Sequence, residues 1–405
     1  MNQIKQFMNP RNTAFWGCVV LVISVLAAGV LMAVHTLKVS PVNGGETSSA
    51  AVQASSHTLL TLEEQPLNFT SLKETDEWVL NNRHQILMPY DKGYCFNFAG
   101  NNGDGPAAWF CYSTGDGKYE KLLKPDEFYG KISINGAIYG AYTEQIEQEN
   151  PFALDAEAGK QYWGKYENGK LTELKKVVLY DICYYTEEYI HFAEANTIYQ
   201  RDYSGGMPSS VVNLGTASII NIAVYQGKLW CEYYDKNDED RLMAYDLETE
   251  EIIEFEGLGL ICINNGYVYV TKLLDLGADE DAFRLDLYRL NCETYKLEKV
   301  FEDCDYYDAQ SIAFTDDLIL YIQNEDIQRE LVPNLNRDDT VPTLYSFDGK
   351  EKKTVFSGGN LEDGVYLNAV QVIDGKIFIE SSGGAAYDCC DQIDVNGKIL
   401  QNIYK

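Results

Sequence analysis

The chain has 405 residues, with 62 Asp or Glu against 32 Lys or Arg and a formal net charge of −30. Phosphate backbones and anionic headgroups require a cationic surface, so nucleic acid is excluded as a partner and the folded part does not dock on lipid by charge. With 45% apolar and 13% aromatic residues the chain is not a disordered one either, because disorder needs low hydrophobicity as well as charge.

In chain order, residues 1–12 form a short tail that carries Lys5 and Arg11. Thr13 to Val34 contain no charge and match the roughly 20 apolar residues that a helix needs to cross a bilayer. Residues 13–37 are therefore predicted to be a transmembrane signal anchor, with the N-terminus inside on the slight positive-inside bias. A cleaved signal peptide is the rival reading, but its apolar run is usually about 7–15 residues and ends in a small-residue site. This run is longer, and no good A-x-A pattern follows it closely. The first acid is Glu46; beyond Lys38 the chain has 29 positive and 62 negative side chains, a net of −33. Residues 38–66 are rich in Ser, Ala and Gly and read as a flexible linker. Residues 59–83, with Trp78 and Val79, read as a closing strand or a short helix. The predicted location is the cell membrane, single-pass, with residues 67–405 outside.

A repeat fills those residues. An apolar run, a turn residue, any residue, an aliphatic and usually an aromatic recur at Gly93, Gly136, Glu188, Gly227, Gly266, Asp317 and Gly375. These are tight hairpins with period-two strands. Each is followed by a second hairpin, for example Tyr162–Tyr166 turning at Asn168-Gly169, or Leu242–Asp246 turning at Glu248-Thr249. Radial repetition of four-stranded units makes a propeller. The expected fold is all-β, a β-propeller of seven four-stranded blades with six or eight as alternatives, preceded by one transmembrane helix. In such a meander the first and third turns share a face. The second loops, at Ala99–Pro106, Thr143–Gln161, Asp235–Arg241, Leu274–Arg284, Asn324–Val341 and Ser382–Asp388, gather on the other, where ligands are expected.

Residues with chemistry are few. Histidine within the repeat is confined to His84 and His191, and His191 takes the place of Tyr139, Trp230, Tyr269 and Phe378, so it reads as a packed stand-in for an aromatic. Two such His do not build a zinc site or a Ser-His-Asp triad. Nine cysteines follow Cys18, an odd number, and most fall at strand positions as small buried hydrophobes. Cys95 and Cys111 can pair if their registers match. Cys389-Cys390 reads as a strand pair facing opposite sides. The run Asp235-Lys236-Asn237-Asp238-Glu239-Asp240 and the acids Asp275, Asp279, Glu280, Asp281 and Asp286 are candidates for calcium, although neither run is an EF-hand and a solvated loop is the plainer reading. Trp109 and Trp163 are candidates for stacking a sugar or peptide. No catalytic, cofactor or metal residue is assigned, and the ligand-binding residues are unknown.

The fifth unit reads ICINNGYVYVTKL then LDLYRLNCETYKLEKVF; the fourth reads IAVYQGKLWCEYY then RLMAYDLETEEIIEF. Over residues 84–404 this resembles the extracellular propellers of Firmicutes grouped as a domain of unknown function, which are similar to the low-density lipoprotein receptor propeller. The receptor hallmark Tyr-Trp-Thr-Asp is absent, and receptor-type propellers have six blades where seven units occur here. The resemblance implies a membrane-tethered or secreted protein and carries over no site residue.

The expected function is a binding or scaffold module for a protein or glycan on the long-loop face, with the membrane reached through the N-terminal helix and no catalysis. Two alternatives stand beside it: a cell-surface glycan hydrolase or lyase with acids in the central funnel, and the ectodomain of a sensor with a separate signalling partner.

Overall fold

The computed structural model describes residues 56–69, 85–98, 108–124, 127–143, 161–174, 182–204, 206–275, 283–302, 304, 311–326, 340–357, 365–383 and 386–404. The predicted tail, anchor and most of the linker lie outside them, as do Trp78, Val79 and His84.

The first turns set the architecture. Asn135-Gly136, Gln226-Gly227, Asn265-Gly266 and Asp374-Gly375 have positive φ at both residues, near 50° and then 70–78°. This is the type I′ turn, whose twist suits the strands it joins. Each links the first strand of a sheet to its second, so the four glycines lie on one face, as expected. In the first repeat Tyr90 pairs with Gly93, which places the turn at Asp91-Lys92. The turn assigned to Gly93 is thus displaced by one residue, and Cys95 falls at the position of Tyr139 instead of Ile138.

Two short strands come first, β1 (Ser56–Leu59) and β2 (Glu64–Gln65). Seven sheets of four consecutive strands follow. Blade 1 holds β3 (Met88–Tyr90), β4 (Gly93–Phe98), β5 (Trp109–Ser113) and β6 (Glu120–Lys121). Blade 2 holds β7 (Phe128–Ile134), β8 (Ala137–Thr143), β9 (Gln161–Glu167) and β10 (Lys170–Leu174). Blade 3 holds β11 (Cys183–Tyr185), β12 (Tyr189–Glu194), β13 (Thr197–Asp202) and β14 (Ser209–Asn213). Blade 4 holds β15 (Ser218–Tyr225), β16 (Lys228–Tyr234), β17 (Asp240–Asp246) and β18 (Glu251–Glu256). Blade 5 holds β19 (Gly259–Asn264), β20 (Tyr267–Asp275), β21 (Phe283–Asn291) and β22 (Leu297–Phe301). Blade 6 holds β23 (Ile312–Phe314), β24 (Ile319–Asp326), β25 (Thr340–Phe347) and β26 (Lys352–Ser357). Blade 7 holds β27 (Val365–Ile373), β28 (Lys376–Gly383), β29 (Ala386–Ile393) and β30 (Ile399–Tyr404). The fold is an all-β, seven-bladed propeller.

Apolar cores lie between blades, because each sheet is apolar on both faces and must be covered twice. Met88, Cys95, Phe110, Phe128 and Ile138 join blades 1 and 2. Ala313, Leu320, Val370 and Ile377 join blades 6 and 7. Trp230 is fully buried on the blade 4 side of a core that runs through blades 3, 4 and 5. Burying one such large side chain contributes about 1.5–3 kcal/mol.

Polar side chains fasten the inner strands. β7, β15, β19 and β27 each carry a register shift near their start. Such a bulge leaves backbone groups outside the ladder. The preceding blade takes them up: the Asn97 amide bonds both the N–H (2.9 Å) and the carbonyl (2.7 Å) of Gly130. Glu232 accepts the Leu260 amide (3.0 Å), and Asn221 donates to the Leu260 carbonyl (2.7 Å).

Among the described residues the ring closes without a shared strand. At the seam Gln371 accepts from the Leu87 N–H (2.9 Å) and donates to its carbonyl (3.0 Å). Phe96 stacks on Tyr404 with ring centroids 4.3 Å apart.

The third turns are built on Asx side chains. Asp246, Asn291, Asp348 and Asp394 close the third strands of blades 4 to 7, and each Oδ1 accepts two backbone amides of its turn.

Residues 56–65 correct the boundary drawn from composition. β1 pairs in parallel with β18 in the register Ser56↔Glu251 to Leu59↔Glu254, and β2 pairs in parallel with β22. The C-terminal part of the predicted linker is thus a fifth strand on blade 4 and then on blade 5. Cys95 and Cys111 are a second correction. Cys111 stands opposite Phe96 and Cys95 opposite Tyr112, so the two point to opposite faces of blade 1 and do not pair. All nine described cysteines are thiols. Cys390 is buried and Cys389 half-buried on the other face, as alternation requires.

Candidate binding face

The loops between second and third strands lie on the face opposite the type I′ turns. In blade 3 this link is only Ala195-Asn196, with φ of 52° at Ala195. In blade 4 it is the acidic run after Tyr234. The interiors of the other long loops lie outside the described residues.

The blade 4 loop folds around its own first carboxylate. Asp235 Oδ1 accepts the amides of Asn237 (2.7 Å) and Glu239 (3.2 Å), and Oδ2 faces Arg241 Nη2 at 3.3 Å. The Asn237 amide, more than any other partner, holds the Asp235 carboxyl below the usual range, and Arg241 adds to it. Arg241 also pairs with Glu239 at 2.5 Å and with Glu256. The charge that a calcium ion would bring is supplied here by a guanidinium. Blade 5 repeats the arrangement. Asp286, fully buried, meets Arg284 Nε at 2.8 Å and Lys299 Nζ at 3.1 Å, and Glu302 joins both cations. Burial opposes the charge on Lys299, but hydrogen bonds to Asp286 and Glu302 outweigh it and raise its pKa. Of the other expected acids, Asp279, Glu280 and Asp281 lie outside the described residues. Among the described residues no group of three His, Cys, Asp or Glu side chains is placed to hold a metal ion.

The two tryptophans part company. Trp163 is 2% exposed and meets Tyr185 of blade 3 edge to face at 5.2 Å. It is a core residue, which corrects its assignment as a stacking surface. Trp109 is half-buried, and Lys121 Nζ lies 3.9 Å from its ring centroid, a cation–π contact.

Glu232 and Glu380 stand at the same place in blades 4 and 7, five residues after the turn glycines Gly227 and Gly375. Glu232 is bound to the Leu260 amide, and Glu380 accepts from the Tyr404 hydroxyl at 2.8 Å. Tyr129, at the start of β7, remains 39% exposed. Burial raises its pKa first and the nearby charge of Glu380 second. None of these three is marked by a motif; the signal that finds the two glutamates is the polar residue five positions after the turn glycine.

Groups able to attack or to take a proton are set away from that work. His191 is 2% exposed, and burial lowers its pKa to about 4, against a hydrogen bond to the Gln200 side chain that raises it. It is neutral at pH 7, a packed member of the aromatic series. Burial pushes the thiols of Cys111 and Cys292 up to about 12, and raises Cys95, Cys231, Cys262 and Cys390 as well. A thiol so placed is inert, since the thiolate is the nucleophile.

No protein-family model matches the chain, and no curated protein does. Solved structures similar to it include a β-propeller domain. The β-propeller domain of the Trilobed protease from Pyrococcus furiosus is 15% identical and aligns over 68% of this chain and 84% of that one, with a TM-score of 0.46. A polysaccharide lyase of family PL25, an ulvan lyase, is 10% identical over 80% of this chain and 97% of its own, with a TM-score of 0.43. A chain of the nidogen/laminin complex is 10% identical over 60% and 90%, with a TM-score of 0.36. These likenesses concern the fold alone.

Proposed function

We propose that this protein is a binding propeller that holds a protein or glycan ligand on its long-loop face and does no chemistry of its own. One observation carries the reading: His191 and the thiols of Cys95, Cys111, Cys231, Cys262, Cys292 and Cys390 are buried and held neutral, so none of them serves as a nucleophile or base near neutral pH. Its loop-face ion networks support it, because Arg241 and Asp286 are already engaged within the chain. Anchoring through residues 13–37, with the propeller outside the cell as in the Firmicutes propellers it resembles, is part of the same proposal. The test presents the full chain in detergent to glycan and peptide libraries and follows both retention and product release. Retention with the ligand recovered intact is expected; turnover would overturn the reading.

A second reading has one observation of its own. Tyr129 is part exposed, and the charge of Glu380 adds to burial in raising its pKa, so a sugar-cleaving pair is sought there. Under that reading Glu380→Gln abolishes glycan cleavage; under the first there is no cleavage to lose.

A further inference from the structure

The seven blades are complete without residues 56–69, yet this segment is fastened to three of them. β1 and β2 make parallel pairs, while every other pairing among the described strands is antiparallel. An outer edge is an open ladder of N–H and C=O groups that accepts an extended chain by strand addition. Between and after the paired stretches the segment is held by side chains. Leu60 and Leu62 pack on the core around blade 4. Glu64 Oε1 takes Lys272 Nζ at 3.0 Å and the Tyr288 hydroxyl at 3.1 Å. Leu67 and Phe69 pack on the core between blades 5 and 6. Arg289, 1% exposed and fixed by Glu298 at 2.6 Å, reaches out to donate to the Asn68 carbonyl at 2.6 Å. Phe69 lies edge to face on Phe347 at 5.9 Å, over a site that a Cβ on Gly349 would fill, 2.4 Å from the ring.

We propose that the outer edge of blades 4 to 6 is a docking groove for an extended peptide bearing a carboxylate and, five residues on, an aromatic ring, and that residues 56–69 are its occupant in cis. The recognition elements belong to the ring. Lys272 and Tyr288 read the carboxylate, buried Arg289 fixes the backbone through one carbonyl, and the Phe347–Gly349 corner takes the aromatic. A segment of the same chemistry in a second copy of this chain is the occupant in trans once the cis segment leaves. The groove lies on the rim, away from the loop face, so the inference does not rest on the function proposed above.

The test uses the full chain as wild type and as Glu64→Gln/Phe69→Ala, with a fluorescein-labelled peptide of residues 56–69. Hydrogen exchange is expected to quicken about tenfold at the amides of residues 57–60 in the variant, while protection across β16 and β17 is kept. By fluorescence anisotropy the peptide binds the variant at least about tenfold tighter than the wild type, whose groove is filled. A peptide carrying both substitutions binds neither chain. The proposal is overturned if the segment stays protected, if blades 4 and 5 lose protection with it, if the released variant takes up no peptide, or if the two peptides bind alike.

Discussion

The strap side of the ring and its closing seam solve one problem, holding neighbouring sheets together, with different chemistry. On blades 4 to 6 the chain lays an extra strand outside and pins it with charge, through Glu64–Lys272 and Arg289–Glu298. Between blades 7 and 1 no strand is exchanged among the described residues, and the contact is an apolar core with aromatic stacking, joined by hydrogen bonds such as those of the Gln371 amide to both groups of Leu87. The difference follows from depth. At the rim Glu64–Lys272 is part exposed and contributes little, whereas Arg289–Glu298 lies beneath it, buried. The seam is dry, so a lost ring or a lost amide partner is felt in full.

Five measurements test that contrast. Tyr404→Ala removes a fully buried ring from the seam and is expected to cost about 3–5 kcal/mol in denaturant unfolding. A loss below about 1 kcal/mol would show that the seam is not where the ring is held. Arg289→Leu leaves Glu298 buried without its cation and is expected to cost about 3 kcal/mol, with exchange quickened first in residues 56–69 and β22. Adding Glu298→Leu should recover most of it; no recovery would place the effect in packing.

Blade 3 belongs to neither region and gives the control. His191 has its pKa lowered from 6.5 to about 4, so the unfolded chain takes up the proton first as pH falls. The stability it contributes is whole above about pH 6.5 and declines toward pH 4, by roughly 3 kcal/mol. In His191→Phe that slope should flatten, and a slope unchanged in the variant would assign it to other groups. At the seam again, Gln371→Ala strands the Leu87 N–H and carbonyl and is expected to cost about 2 kcal/mol. Least is expected from Glu64→Gln, under about 1 kcal/mol, because its carboxylate is part exposed. The Lys272 hydrogen bond lowers the Glu64 pKa below its ordinary 4.5, so this contribution is present above that pH and fades as pH falls through the lowered value. A loss as large as that of Gln371→Ala would erase the distinction between wet rim and dry seam.

The blades were legible because their punctuation is local. Asn-Gly, Gln-Gly and Asp-Gly can enter positive φ cheaply, and period-two apolar runs beside them leave few alternatives to hairpins. Blade 1 slipped by one residue for the same reason: Asp91-Lys92 makes the turn there, and the nearby Gly93 drew the alignment. Gly93 is conspicuous on other grounds, since a Cβ on it would lie 2.1 Å from the Ser113 carbonyl oxygen.

The strap was not legible. Ser56–Leu59 and Glu64–Gln65 are mostly polar, and what makes them strands is the edge of blades 4 and 5, not a pattern of their own. The binding face was legible as a face only. Trp163 adjoins a long loop in sequence and is nonetheless sealed between sheets, because a strand can enter the core at its third residue. Asn97, Glu232 and Glu380 were missed since their work is to serve backbone or hydroxyl groups of distant residues, which no local window contains.

The absence of a shared strand at the seam has a consequence for the family tree of such a ring. Where first and last sheets are woven together, inserting or deleting a repeat must preserve the weave. Here the four core strands of every blade come from one stretch of sequence, with residues 56–65 added outside blades 4 and 5, and the joint asks only for complementary surfaces on either side. Blade number is then open to change by tandem duplication or loss of a single unit, and rings of neighbouring size become one step apart for the gene.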